Sequence, residues 1–304
     1  QGNVAIDIAR ILTKDLSLLK QTDIPAYAIS ALEKSNIKTV HLVGRRGPAQ
    51  AAFTHQELKE LSELENCTLK FNDEELSLNE ASKEEISDDK NIKGKRNYEL
   101  IQSITENEST TTDKTIHIQF YKSPDAFLGD EKLEGIRFKE TELSGPAGNQ
   151  KAIVTESIVE LPCNIAFKSI GYKGRPIEGI PFDDKKGTIP NTAGRVIQDG
   201  HPFSGFYTSG WIKRGATGVI GTNKKCSQET ADSLMEDLEH LTPCTVPDTQ
   251  SILNKLKETG VRTINFAQWK KVDEEECRLG QLNSKPREKF TSAEDVFGFL
   301  NGHT

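Results

Sequence analysis

The sequence predicts an α/β fold in which a mostly parallel sheet is interrupted by an antiparallel meander. Two observations predict it. Short β-branched runs alternate with stretches whose apolar residues have helical spacing, and three alternating segments near the middle of the chain are separated by Gly, Pro and Asp. Alternation of strands with helices favours a parallel sheet, because each parallel connection needs a long crossover, usually a helix.

Length and composition describe a chain with room for two domains. It has 304 residues, of which 35% are hydrophobic, and a formal net charge of −7. The sequence contains no apolar run of about 18 residues, so no transmembrane helix is expected. The negative charge argues against a nucleic-acid-binding protein, for which a basic surface is expected. The five cysteines are widely spaced and include no C-x-x-C pair for redox chemistry or zinc.

Apolar residues at helical spacing recur along the chain. They predict helices at residues 1–12, 24–32, 53–64, about 218–241 and 249–258. The first helix follows a short opening that contains Gly2. In the third helix, Thr54 is the expected N-cap, and Glu57 completes a capping-box pattern three residues later.

Alternating and β-branched runs predict the strands. They lie at residues 39–43, 115–120, 135–139, 152–154, 163–172 and 206–212. The first is expected to be a buried strand that ends in the turn Gly44-Arg45-Arg46-Gly47-Pro48. The runs between residues 115 and 154 are expected to form the antiparallel meander. The run at 163–172 is almost continuously apolar, as in a strand buried on both faces.

Two stretches of unusual composition interrupt these elements. Residues 72–92 are polar, highly charged and short of aromatics, which favours an exposed insertion or a poorly ordered loop. Residues 174–202 are rich in Pro and Gly and indicate a change of domain. We therefore expect one domain over residues 1–171 and a second over residues 172–304.

Two short motifs point to a nucleotide. Gly2 precedes a helix in a Gly-x-x-Ala pattern, and a helix that begins there directs N–H groups and partial positive charge at an anion. The pattern alone is weak evidence because it is common. Arg45 and Arg46 strengthen it, since an NAD-binding fold usually has an acidic residue at this place, whereas guanidinium groups suit a 2′-phosphate. The pair predicts NADP; the alternative is solvated surface charge.

A third motif runs from Ser209 to Ile220 and combines a strand end, a glycine-rich turn and a helix start. A helix that begins near Gly218 would direct unpaired N–H groups at a ligand. Its partial positive charge suits an anion, including the negative charge that gathers on the pyrimidine edge of a reduced flavin. Trp211 lies inside this glycine-rich turn, which favours a ligand contact over a place in the core.

These motifs resemble signatures of the adrenodoxin reductase family, a group of mitochondrial-type NADPH:ferredoxin reductases. The resemblance rests on Q-G-N-V-A at the start, V-G-R-R-G-P-x-Q-x-A-F-T-x-x-E-L from Val43, L-P-C-N-I-A-F-K-S-I-G-Y-K-G-R-P from Leu161, S-G-W-I-K-R-G-A-T-G-V-I from Ser209, and K-P-R-E-K from Lys285. These segments occur in the family's order through nearly the whole chain.

The resemblance implies both the domains and the cofactor contacts. Residues 1–171 would form an NADP domain with a Rossmann-like parallel sheet, its first strand missing, and residues 172–304 part of an FAD domain of the glutathione-reductase type. The implied NADP contacts are Gln1, Gly2, Asn3, Val4, Arg45, Arg46 and Glu57. The implied FAD contacts are Trp211, Gly218, Val219 and Ile220, with Gly218 also touching NADP. No catalytic side chain and no metal ligand is implied.

The resemblance also implies a function and a partner. Electrons would pass from NADPH through FAD to a small acidic [2Fe–2S] ferredoxin in the mitochondrion. The family's basic docking surface maps onto Lys59, Lys93, Lys95 and Arg96. Because the flavin fingerprint and the strand before Gly2 are expected upstream of Gln1, this chain alone is expected to be inactive and to bind FAD poorly. Two alternatives stay open: a non-catalytic NADP-binding fragment, and a related NADPH-dependent flavoprotein with another acceptor.

Overall fold

A computed structural model describes residues 1–89, 91–106, 112–218 and 220–302. Packing divides the chain into two compact units. The first contains Gln1–Ser169 and the carboxy-terminal part of the chain from Ile264 onward, and the second contains Ile170–Thr263. The sequence grouped residues 264–304 with the second domain, whereas they pack with the first unit. The assignment of NADP to residues 1–171 and of FAD to residues 172–304 stays a prediction.

The first unit begins with three helices and continues with alternating strands and helices. Its first six helices are α1 (Asn3–Thr13), α2 (Leu16–Leu19), α3 (Ala26–Glu33), α4 (His55–Ser62), α5 (Glu80–Ser87) and α6 (Ile92–Glu106). Its strands are β1 (Thr39–Val43), β2 (Cys67–Phe71), β3 (Lys114–Gln119), β4 (Lys122–Leu128), β5 (Gly135–Ser144) and β6 (Lys151–Pro162). The helices predicted near 1–12, 24–32 and 53–64 and the strand predicted at 39–43 are confirmed, but only Leu42 of that strand is buried, so its predicted burial was wrong.

β1, β2 and β3 form a parallel sheet in the order β1-β3-β2. Ile116 and Ile118 of β3 point to the same face because side chains alternate along a strand, and both are fully buried. α1 packs into the same core with Ile6 and Ala9, which lie three residues apart and therefore on one side of the helix. Burial of these apolar side chains holds the sheet and its helices together.

The antiparallel meander consists of β4, β5 and β6. The runs predicted at 135–139 and 152–154 lie within β5 and β6 and are confirmed. The run at 115–120 belongs to β3, which pairs in parallel with both β1 and β2, so its assignment to the meander was wrong. Alternation of polar and apolar residues identifies the buried face of a strand, but it carries no information about the direction of the neighbouring strands.

Of the two alternatives predicted for residues 72–92, the poorly ordered loop was wrong, although most of the described residues of the segment are exposed as expected. This segment contains a short 3₁₀ helix at Asp73–Leu76 and then α5. Glu75 is buried because its carboxylate pairs with the ammonium of Lys122 and accepts from the backbone N–H of Phe120 at 2.6 Å. Ser82 is fully buried and accepts from the side-chain amide of Gln50 at 3.1 Å. Polar composition concealed this ordered segment, because polar groups can be buried when they are paired.

The apolar run at residues 163–172 does not form the predicted buried strand. The backbone N–H of Cys163 donates to Glu134, but the residues that follow pair with no strand in the part of the chain that the structure describes. Ile170 is 86% exposed, and Ile165 and Phe167 are exposed as well. A strand buried on both faces needs hydrogen-bonded neighbours as well as apolar side chains, and only the second condition can be recognised in the sequence.

The second unit contains a small antiparallel sheet and three helices. Its elements are β7 (Asn191–Thr192), β8 (Arg195–Gln198), β9 (His201–Tyr207), α7 (Trp211–Arg214), α8 (Ile220–Asp237) and α9 (Thr249–Glu258). Arg195 donates to the carboxylate of Asp237 at 2.7 Å, which ties the end of α8 to β8. The helices predicted near 218–241 and at 249–258 are confirmed. The strand predicted at 206–212 was wrong beyond Tyr207, because Gly210 adopts a φ of 74° and α7 begins directly after it.

Two further helices, α10 (Phe266–Leu282) and α11 (Ala293–Gly302), were not among those predicted. The segment after α10 joins the first unit: Lys285 donates to the backbone oxygen of Ile24 at 2.7 Å, and Glu288 accepts from the N–H of Ala26 at 3.0 Å. These contacts involve the K-P-R-E-K motif. Among the described residues, no helix is long and apolar enough to cross a membrane.

Candidate functional site

The first residues of the chain lie at the carboxyl ends of β1 and β3. The side-chain amide of Gln1 donates to the backbone oxygen of Gln119 at 2.6 Å and to that of Leu42 at 3.4 Å. Gly44 permits this approach, since a Cβ there would lie 2.1 Å from Oε1 of Gln1. Carboxyl ends of parallel strands are where ligands bind in open α/β sheets, so the predicted pyrophosphate loop lies at the expected edge.

α1 begins at this edge without a side-chain cap. Gly2 is its N-cap and has extended backbone geometry, and no side chain accepts from the first turn. Asn3 instead accepts from the backbone N–H of Thr54 at 2.9 Å, which joins the start of α1 to the start of α4. Val4 is exposed. An uncapped helix N-terminus offers N–H donors and partial positive charge to an anion.

Arg45 and Arg46 follow β1 and are exposed. Their backbone is held in place: the oxygen of Arg45 accepts from the hydroxyl of Thr141 at 2.7 Å, and that of Arg46 from the N–H of Tyr121 at 3.3 Å. Their guanidinium groups have no hydrogen bond or ion pair within the described parts of the chain. The pair lies close to Gln1, since Gln1 contacts Gly44, the residue before Arg45. Burial, and then the charges of both arginines, lower the pKa of the Gln1 amino group.

Tyr121 packs against the arginine loop, by which we mean Gly44-Arg45-Arg46-Gly47. A Cβ at Gly47 would lie 2.2 Å from the Tyr121 hydroxyl, so the ring fits against the loop only because residue 47 is glycine. Burial, assisted by the charges of Tyr98 and Glu75, raises the pKa of Tyr121 to about 12. Its phenol therefore stays protonated and neutral at physiological pH.

Glu57 faces Arg10 and does not complete a capping box. Its carboxylate lies 3.2 Å from the Arg10 guanidinium, which also contacts Asp7 and Glu60. Thr54 makes no side-chain cap to α4. The predicted capping box was wrong because Glu57 is engaged by an arginine of α1 that is distant in sequence.

The second unit carries the other predicted contacts. The rings of Tyr172 and Trp211 stack with centroids 6.0 Å apart, and Trp211 remains 48% exposed. Arg214 donates to the backbone oxygen of Thr217 and to the side chain of Asn223, which binds the glycine turn to α8.

Gly218 ends this turn with a φ of 84°, and a Cβ there would lie 2.6 Å from the hydroxyl of Thr222. Ile220 begins α8. Val219 lies outside the described residues. The structure thus brings Gln1, Gly2, Asn3, Arg45 and Arg46 together in the first unit, while Trp211, Gly218 and Ile220 belong to the second. No group of His, Cys, Asp and Glu suited to a metal ion occurs in the described ranges.

Named relatives identify the family. The chain is 37% identical to the mitochondrial NADPH:adrenodoxin oxidoreductase of Arabidopsis thaliana over 311 residues, 97% of the chain. It is also 37% identical to the Bos taurus protein of that name over 317 residues, 100% of the chain. The chain belongs to the NADPH:adrenodoxin oxidoreductase family. It spans 64% of the length of the Arabidopsis protein and 63% of the length of the bovine one.

A bacterial member of the family matches as well. NADPH-ferredoxin reductase FprA of Mycobacterium tuberculosis is 36% identical over 302 residues, which cover 97% of this chain and 65% of FprA. An atomic-resolution structure of FprA with covalently modified NADP⁺ matches with a TM-score of 0.85 and covers 99% of this chain and 65% of that one. FprA in complex with NADPH matches with a TM-score of 0.80. These matches confirm the α/β fold class. No protein-family model matches the chain.

Two residues that shape the arginine loop were absent from the predicted site of this NADPH:adrenodoxin oxidoreductase family member. Gly44 is visible in the sequence, because G-R-R-G places a glycine on each side of the arginines. Tyr121 has no local signal. It reaches the loop only because β3 lies next to β1 in the sheet.

Proposed function

We propose that this chain supplies the NADPH site and part of the FAD site of an oxidoreductase that passes electrons from NADPH to a [2Fe–2S] ferredoxin. The observation that carries the proposal is the Arg45-Arg46 pair, which has no carboxylate partner among the described residues and lies beside Gln1. A cationic pair of this kind suits the 2′-phosphate that distinguishes NADPH from NADH. FprA, a relative, has been solved in complex with NADPH.

Different residues at the edge of the parallel sheet would contact different parts of the dinucleotide. Gly2, Asn3 and Val4 would present the N-terminus of α1 to the pyrophosphate. Arg45 and Arg46 would hold the 2′-phosphate, each able to donate two parallel hydrogen bonds. We assign Glu57 a contact to the nicotinamide nucleotide. These residues bind and orient the dinucleotide, and no nucleophile is needed.

The turn in the second unit supports a partial flavin site. Trp211 has a half-exposed aromatic ring that a ligand could contact. Gly218 has no side chain, so a ligand could approach its backbone closely. Ile220 begins α8, whose N–H groups suit a developing negative charge, and we assign Val219, which lies outside the described residues, to the same flavin contact. Bound FAD would supply the chemistry that links a two-electron donor to a one-electron acceptor. The role of these residues is to orient the flavin and stabilise its charge.

The arginine pair provides the decisive test. We expect Arg45→Ala with Arg46→Ala to weaken NADPH binding by about 1.5–3 kcal/mol for each charge-assisted contact removed. NADH affinity should change little, because NADH has no 2′-phosphate. Calorimetric titration of the chain with both dinucleotides measures this, with Arg137→Ala, a half-buried arginine of β5 paired with Glu160, as the control. Equal losses for NADPH and NADH would contradict the 2′-phosphate assignment.

We further propose a small acidic [2Fe–2S] ferredoxin as the acceptor, with Lys59, Lys95 and Arg96 facing it. All three are exposed, as is Lys93. Opposite charges would steer the encounter, an effect on association rate more than on affinity. Lys93 was predicted within the same group, but its ammonium has a different environment, described below. Relatives from Arabidopsis thaliana and Bos taurus bear the word mitochondrial in their names, and we propose the same compartment here.

A second candidate function is NADP binding without catalysis. This function is favoured because few residues are assigned to the flavin, and only three of them are described. The group assigned to the nucleotide is larger. An FAD titration distinguishes the two functions and is described in the Discussion.

A further inference from the structure

Lys93 lies at the start of α6, and its ammonium points toward the nucleotide edge of the sheet. It donates to the backbone oxygen of Ala52 at 2.7 Å, in the segment that joins β1 to α4. The same segment contacts the proposed pyrophosphate loop, since the N–H of Ala52 donates to the backbone oxygen of Gln1 at 3.1 Å. Lys93 is therefore anchored to the residues that line the dinucleotide site.

α6 approaches this segment closely because residue 94 is glycine. A Cβ at Gly94 would lie 2.9 Å from the backbone oxygen of Ala49. The buried side-chain amide of Asn97, one turn further along, donates to the backbone oxygen of Phe53 at 3.0 Å. Contacts on both sides of Ala52 thus hold the first turn of α6 against the segment, and the position of Lys93 follows from the packing of the helix.

The charge environment of Lys93 links it to Arg46. Lys93 is exposed as a residue, but desolvation at its ammonium, which donates to Ala52, lowers the pKa of that group, and the positive charge of Arg46 lowers it further. No carboxylate pairs with Lys93, Arg45 or Arg46 in the described part of this acidic chain. Arg10 and Arg195, by contrast, each contact more than one carboxylate. Like charges repel when they are held together, and a bound anion removes that repulsion.

We propose that Lys93 is a third cation of the 2′-phosphate site, beside Arg46. The inference rests on the proposed NADPH function and adds a residue to it. A phosphate monoester carries close to two negative charges at neutral pH, which a single guanidinium does not neutralise. Lysine acts as a point charge on phosphate, whereas arginine supplies the bidentate geometry. Lys93 would therefore contribute to the preference for NADPH and not to ferredoxin docking.

Fragments of the dinucleotide test this assignment directly. The probes are 2′,5′-ADP, which carries the 2′-phosphate, and 5′-AMP, which lacks it, each titrated calorimetrically into the full chain. We expect Lys93→Met to weaken 2′,5′-ADP about tenfold, the effect of losing one charge-assisted contact, and to change 5′-AMP less than about twofold. Lys93→Arg, which keeps the charge, should retain most of the affinity. Lys83→Met, at an exposed position of α5, is the charge-matched control and should change neither.

The outcomes separate this inference from the proposed function. Unchanged 2′,5′-ADP affinity in Lys93→Met, or an equal loss for both fragments, would overturn the role of Lys93 while leaving the arginine pair in place. If the unaltered chain bound 2′,5′-ADP no better than 5′-AMP, the proposed 2′-phosphate site itself would be wrong. Lys93→Gln provides a second neutral variant should Lys93→Met fail to fold, with circular dichroism as the check.

Discussion

The two glycines that flank Arg45 and Arg46 each admit one neighbouring side chain. Gly44 leaves room for Gln1, whose flexible end could move aside. Gly47 leaves room for the ring of Tyr121, which is confined by the backbone hydrogen bond from Tyr121 to Arg46. A substitution of glycine by alanine is therefore expected to destabilise the fold more at position 47 than at position 44.

We expect Gly47→Ala to destabilise the fold by about 1–3 kcal/mol, the usual effect of forcing an extra carbon into a packed site. Backbone strain does not contribute, because φ at Gly47 is −80°. The free energy of unfolding in urea measures the effect. Gly298→Ala is the matched control, since its Cβ would meet nothing within 4 Å and alanine favours a helix. Similar stability of the two variants would contradict the contact with Tyr121.

His41 and His117 face each other across β1 and β3, with ring centroids 5.1 Å apart. Burial lowers the pKa of His41, and the charge of His117 lowers it further. Burial also lowers the pKa of His117, and the charge of Lys70 adds to this. Both imidazoles are therefore held neutral in the folded chain at pH values where free histidine begins to protonate.

This pair predicts a loss of stability in mild acid. Below the ordinary histidine pKa of 6.5 the unfolded chain binds more protons than the folded one. The free energy of unfolding therefore decreases as the pH is lowered. The decrease in stability ends once the pH is below the lowered pKa values of the two histidines in the folded chain. Urea midpoints at about pH 7.5 and about pH 5.5 bracket this window. In His117→Phe, which keeps an aromatic ring but cannot titrate, the difference between the two midpoints should shrink. If the difference between the midpoints stayed the same in His117→Phe, groups other than this histidine pair would cause the pH dependence.

At the scale of elements, the segment from Asp73 to Ser87 shows how a charged sequence can be part of the core. The buried pair of Glu75 and Lys122 joins its 3₁₀ helix to the start of β4. Glu75 also accepts from the N–H of Phe120, at the end of β3. One carboxylate thus connects the parallel sheet to the meander and satisfies two donors at their junction.

We expect Glu75→Gln to destabilise the chain by about 3–5 kcal/mol, because it leaves the buried ammonium of Lys122 without a counter-charge. Glu74→Gln removes the same charge from an exposed neighbour and should have little effect. The double variant Glu75→Gln, Lys122→Met should recover much of the loss, since it removes both charges. Urea unfolding of Glu75→Gln, of Lys122→Met and of the double variant measures the coupling. Additive losses in the double variant would mean that the ion pair does not contribute.

The helices were largely predictable at this scale and the strand partners were not. α1, α4 and α9 follow from the spacing of apolar residues, which acts within one element. The parallel pairing of β3 and the absence of a strand at residues 163–172 depend on which neighbours are available, and this information is distributed over the whole chain. The short helix after Gly210 escaped prediction for a related reason, since its β-rich sequence resembles the end of a strand.

For the whole molecule, the proposed flavin contacts are few compared with what a cofactor requires. Ligand sites bury most of a drug-sized ligand, whereas the described contacts, Trp211, Gly218 and Ile220, all lie within one short segment of the second unit. We therefore expect the chain to bind FAD weakly and in less than equimolar amount. Adding FAD to the purified chain, followed by gel filtration and measurement of flavin absorbance, tests this, with NADPH binding by the same sample as the control. Tight equimolar binding of FAD would contradict it and favour a complete flavin site.

The sequence by itself determined the family, the α/β class and the arginine pair, because these depend on short motifs whose chemistry is local. Only the tertiary structure decided what surrounds that pair. Tyr121 packs against the arginine loop, and the ammonium of Lys93 donates to Ala52 in the segment that follows this loop. Both residues are more than forty positions away along the chain, and packing of the sheet and of α6 brings them to the loop. Contacts between such distant residues depend on the whole fold, so no local pattern in the sequence records them.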